Sequence, residues 1–74
     1  MSFEPRTTDE LVRIAMSGGG FVLDAAARTT DELVRIAMAG GGKVRLTFRG
    51  MAARRTDELV RIAMAGQGSV SFEG

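Results

Sequence analysis

Thr8-Asp9-Glu10-Leu11-Val12-Arg13-Ile14-Ala15-Met16 recurs without a change at 30–38 and again at 56–64. Self-similarity at such a period marks a repeat architecture, in which one supersecondary unit stacks on the next. The match runs back to Arg6, Arg28 and Arg54 and forward into Gly18-Gly19-Gly20, Gly40-Gly41-Gly42 and Gly66-Gln67-Gly68, with offsets of 22 and 26 residues between copies. Identity over nine positions points to recent duplication or an engineered sequence, because even buried positions tolerate conservative exchange.

Each copy reads as an amphipathic helix. Thr8, Thr30 and Thr56 are suited to the N-cap, and the Asp-Glu pair that follows complements the positive end of the helix dipole. Thr7 to Glu10 and Thr29 to Glu32 also have capping-box spacing, which Arg55 breaks in the third copy. At 100° per residue Leu11, Val12, Ile14, Ala15 and Met16 sweep one face, and Asp9, Glu10, Arg13 and Ser17 share the other. Asp9 and Arg13, and their equivalents Asp31 with Arg35 and Asp57 with Arg61, have the spacing of pairs within one helix. Met16, Met38 and Met64 stand at the rim of the apolar face and read as core filling. Helices are expected near 8–17, 30–39 and 56–65, each stopped by its glycines.

The segments after the glycines read as strands near 21–24, 43–49 and 69–73. Lys43-Val44-Arg45-Leu46-Thr47-Phe48-Arg49 alternates polar with apolar, and Ser69-Val70-Ser71-Phe72-Glu73 does the same. Ser2-Phe3-Glu4 repeats Ser71-Phe72-Glu73 and suggests a further short strand. Strands alternating with single helices imply an α/β fold: three β-α repeats giving a small, mostly parallel sheet with three helices on one face. The 74 residues form a single domain whose repeats span approximately 1–24, 25–49 and 50–74.

From Leu46-Thr47-Phe48-Arg49-Gly50 into Thr56-Asp57-Glu58-Leu59-Val60-Arg61-Ile62-Ala63, a strand, a turn and an amphipathic helix, the chain resembles a helical leucine-rich repeat. That resemblance implies a short solenoid that binds through its exposed sheet face.

Composition narrows the function. With no Cys and no His, disulfides, thiolate chemistry, the usual zinc sites and imidazole acid-base catalysis all fall away. No catalytic, metal or cofactor residues are assigned. The glycine clusters follow helices, and the helix N-termini carry Asp9-Glu10, Asp31-Glu32 and Asp57-Glu58, so a phosphate cradle is disfavoured. The acidic pairs are the most strictly repeated residues, whereas an active site breaks repetition. The N-terminal segment lacks the pattern of a signal peptide and no stretch has membrane-spanning length, so a cytoplasmic protein without a membrane partner is expected.

Two candidate surfaces remain. Ten Lys plus Arg balance nine Asp plus Glu, yet Lys43, Arg45, Arg49, Arg54 and Arg55 gather in one segment without an acid, a candidate contact for nucleic acid or another polyanion. The same charges would also protect an exposed strand against unwanted pairing. If Val22 aligns with Val44 and Val70, Phe21 and Leu23 project from the otherwise polar sheet face as a self-association site; a shift of register turns both inward. A thin core and uncapped repeat ends favour association, giving the expectation of a non-catalytic interaction module that binds protein partners or itself, most simply as a homo-oligomeric dimer.

Overall fold

The computed structural model describes residues 6–74, so the strand expected at Ser2-Phe3-Glu4 lies outside the described residues. Helices and strands alternate as α1 (Thr8–Met16), β1 (Phe21–Asp24), α2 (Thr30–Gly40), β2 (Leu46–Arg49), α3 (Thr56–Gly66) and β3 (Val70–Phe72). The strands are parallel in the order β1-β2-β3, and α2 packs between α1 and α3. Chain order is therefore spatial order in both layers.

The caps lie one residue before the positions the repeat suggests. Thr7 is the first N-cap: its Oγ1 accepts from the Glu10 N–H at 3.2 Å, and Glu10 Oε1 accepts from the Thr7 N–H at 2.9 Å. Thr29 and Glu32 repeat both bonds. Thr8 and Thr30 are thereby released from capping and become the first helical residues. In the third copy Arg55 occupies the cap, and its guanidinium has no acceptor to offer. Half of the box survives there, with Arg55 N–H donating to Glu58 Oε1 at 3.0 Å.

Helix ends differ for a local reason. α1 stops at Ser17, which keeps right-handed backbone angles, because Gly18 follows at φ 96° and Gly19 N–H donates back to Ile14 O at 3.0 Å, whereas α2 and α3 run on through Ala39 and Ala65 to Gly40 and Gly66. The last two helices end in left-handed residues, Gly41 at φ 53° and Gln67 at φ 51°. Glycine takes that conformation freely, while glutamine takes it under strain.

The register corrects the expected orientation of the first strand. Phe21 pairs with Leu46 and Leu46 with Val70; Leu23 pairs with Phe48 and Phe48 with Phe72. Phe21 and Leu23 therefore face the helices and are buried, 7% and 0% exposed, so they form no apolar patch on the outer face. The reason is energetic: the opposite register would turn Val22 and Asp24 inward, exchanging two large apolar side chains worth roughly 2 kcal/mol each for a valine and a buried carboxylate. Counting from the glycines misleads because the connection before β2 is longer. Residues 43–45, expected in the strand, belong to that connection. At the mouth of the β1–β2 pair Phe21 N–H donates to Arg45 O at 3.2 Å, and a Cβ on Gly20 would stand 2.4 Å from the same oxygen, so glycine is required there.

One core fills the space between the layers. Leu11, Leu33, Ile36 and Ile62 from the helices meet Leu23, Leu46 and Phe48 from the sheet, all fully buried. The three methionines at the rim do not join it: Met16, Met38 and Met64 are 70%, 62% and 73% exposed. No helix among the described residues is long and apolar enough to cross a membrane.

Candidate functional site

The residues freed by the one-residue shift of the caps form a ladder between neighbouring repeats. Thr8 Oγ1 donates to Glu32 Oε2 at 3.2 Å and accepts from Arg28 Nη1 at 2.8 Å. One repeat further on, Thr30 Oγ1 donates to Glu58 Oε2 at 3.0 Å and accepts from Arg54 Nη1, also at 3.0 Å. Each arginine also reaches a main-chain carbonyl behind it: Arg28 Nη2 donates to Arg6 O, and Arg54 Nη2 to Arg28 O and, at 2.9 Å, to Ala25 O. A planar guanidinium suits the task, since its donors are fixed in a fork that can bind several oxygens together.

A second row lies on the outer surface. Arg35 Nη2 meets Asp9 Oδ1 at 2.9 Å and Arg61 Nη2 meets Asp31 Oδ1 at 3.1 Å. These arginines do not pair with the aspartates of their own helices, as the spacing suggested, but with those of the preceding repeat. Both pairs are exposed and contribute at most about 1 kcal/mol each. Their effect is on alignment: only one axial register of the helices brings all the partners together.

Hydrogen bonding shifts the carboxylates at the centre of the ladder. The Thr29 N–H, followed by the hydroxyls of Thr8 and Thr29, holds the Glu32 carboxyl below the usual glutamate range, against an opposing effect of desolvation. The Arg55 N–H and then the Thr30 hydroxyl do the same for Glu58, with the charges of Arg55 and Arg54 adding to the effect.

The five cations of the basic segment are divided among different surroundings. Lys43 and Arg45 are exposed in the connection before β2. Arg49 lies on the outer sheet face, 3.5 Å from Glu73 Oε1. Arg54 is committed to the ladder, and Arg55 Nε stands 3.5 Å from Asp57 Oδ1 at the start of α3. The sheet face away from the helices carries Val22, Thr47 and Ser71 in one row and the Asp24–Arg49 pairing beside it. Acid and base alternate on that face.

The repeated residues change state according to their neighbours. Ile36 and Ile62, on the sides of α2 and α3 that carry the ladder glutamates, are fully buried, while the equivalent Ile14 is half-buried. On the opposite sides, Ala15 and Ala37 are buried and Ala63 is exposed; Leu11 and Leu33 are buried and Leu59 is half-buried. Thr8 is buried, Thr30 half-buried and Thr56 exposed. Sequence reasoning missed this interface by reading the charged positions as a solvated face. The available signal was their identity: a face that only meets water tolerates drift, whereas Arg28 and Arg54, Thr8 and Thr30, and Glu32 and Glu58 must fit one another.

Compared with protein-family models, curated proteins and solved structures, the chain matches none.

Proposed function

We propose that the chain is a non-catalytic repeat module that acts by contact with other protein chains, copies of itself included. The observation that carries this reading is the ladder: the most strictly repeated polar residues hold one repeat to the next, leaving the acidic pairs engaged in structure. An interface built from repeating units is open to extension by further units of the same kind. Partial exposure of Ile14 and Leu59, with Val60 at 48%, supplies apolar area for such contact. The five cations of the basic segment lie in different surroundings, so a polyanion is not the favoured partner.

Sedimentation velocity on the intact chain tests the reading. The weight-average mass is expected to rise between about 1 and about 200 μM, the range of Kd values of modest protein contacts. A mass that stays at one chain throughout, together with salt-sensitive binding of duplex DNA or RNA, would move the function to polyanion recognition.

A further inference from the structure

Every internal repeat boundary joins two unlike sides. The forward side presents a threonine hydroxyl, an aspartate and a small apolar surface; the backward side presents a glutamate, an arginine and an isoleucine. The described chain ends in one side of each kind. At the α1 end lie Glu10, Arg13 and Ile14, in the positions of Glu32, Arg35 and Ile36. At the α3 end lie Thr56, Asp57 and Ala63, in the positions of Thr30, Asp31 and Ala37. The two ends therefore carry complementary hydrogen-bonding and charged groups.

We infer that the 74-residue chain stacks head to tail on second copies of itself, with α1 of one copy seated on α3 of another as α2 is seated on α1. The inference rests on the self-association reading above and gives it a geometry. Glu10 Oε1 holds the Thr7 N–H, the same division of labour as in Glu32, where Oε2 takes the threonine hydroxyl. In the stacked pair Thr56 Oγ1 donates to Glu10 of the next copy and Arg13 meets Asp57. Asp57 has an exposed side chain and its partner within the chain, Arg55, stands at 3.5 Å, longer than the 2.9 and 3.1 Å of the pairs between repeats. An open depression of about 590 Å³ beside Glu10, Arg13 and Ile14 marks the side that a preceding repeat would cover. Because the surfaces are unlike, the contact is heterologous: each added copy leaves a fresh end, so the products form a series or a ring and not a two-fold dimer.

Blocking one end at a time gives the test. Ala63→Arg places a long cation on the α3 end at a position exposed in the single chain, so the fold is retained. Ile14→Lys blocks the α1 end, and Arg13→Glu at an exposed position does so should the lysine unfold the domain, which circular dichroism reports. For the native chain, sedimentation velocity is expected to show species beyond the dimer. Each blocked variant alone is expected to lose association by at least about tenfold, a shift of one decade in Kd. An equimolar mixture of an α1-blocked and an α3-blocked variant retains one good interface and is expected to form a 1:1 dimer and nothing larger. If Ala63→Arg associates like the native chain, or the mixture forms no dimer while the native chain does associate, the head-to-tail geometry is overturned and self-association uses another face. If the native chain stays monomeric at every concentration, the geometry and the self-association reading fall together.

Discussion

The middle repeat and the two end repeats share nine consecutive residues but hold them differently. Ile36 and Leu33 of the middle copy are fully buried, whereas Ile14 of the first and Leu59 of the third are half-exposed. Among the described residues, no repeat lies behind the isoleucine of the first copy or ahead of the leucine and alanine of the third. In a repeat protein the state of a side chain is thus set by adjacency as much as by its own sequence, so the stability of each unit depends on its interfaces.

The sharpest way to break this comparison is to make one substitution in two copies. Ile36→Ala is expected to destabilise the chain by about 3 kcal/mol, since it empties a fully enclosed site, while Ile14→Ala costs about 1 kcal/mol or less. Urea unfolding at low protein concentration measures both, and equal losses would refute the role of adjacency. Next in size is Arg54→Ala, which removes the donor to Thr30 Oγ1, Ala25 O and Arg28 O and should cost about 2 kcal/mol. Arg54→Lys is expected to recover little of that, because an ammonium cannot reproduce the fork.

Gln67 sharpens the contrast from the other direction. Gly41 ends α2 in the left-handed conformation at no steric cost, and Gln67 ends α3 in the same conformation. Gln67→Gly is therefore expected to stabilise the chain by about 1 kcal/mol, seen as a higher midpoint in urea.

Acid produces a smaller effect. Glu32 and Glu58 have folded-state pKa values below the ordinary range, so each contributes stability that is complete above the unfolded-state value. It is lost as pH falls through the ordinary glutamate region near 4.5 and on toward the depressed folded-state values. Glu58→Gln is expected to flatten the acid limb of stability against pH; an unchanged limb would remove the ladder as its cause. Smallest of all is Arg35→Ala, which breaks an exposed pair with Asp9 and should cost about 0.5 kcal/mol or less.

Much of the fold was legible because local signals agreed. Nine identical residues, glycine stops and alternating segments led to three helices and a parallel sheet, and the bounds of β1 agree with those expected. The facing of β1 was less legible, because Phe21-Val22-Leu23-Asp24 is apolar at three of four positions and its direction depends on partners in other repeats. The connection before β2 absorbed residues 43–45 for a similar reason: loop length does not announce itself in an alternating pattern. The interface was the least legible feature. Its pairs are separated by 20 to 30 residues, so no window on a single helix shows them, and pairing within the helix offered Arg35 and Arg61 a nearer but incorrect partner.

The central claim is that each repeat is completed by its neighbour, and adding a neighbour tests it most directly. A chain carrying a second copy of residues 30–55 inserted before Thr56 gains one internal repeat with both sides covered. Its thermal unfolding at low protein concentration is expected to remain a single transition with a midpoint several degrees above that of the native chain, since each internal interface adds stability. An unchanged or lower midpoint, or a separate transition for the inserted repeat, would contradict the account.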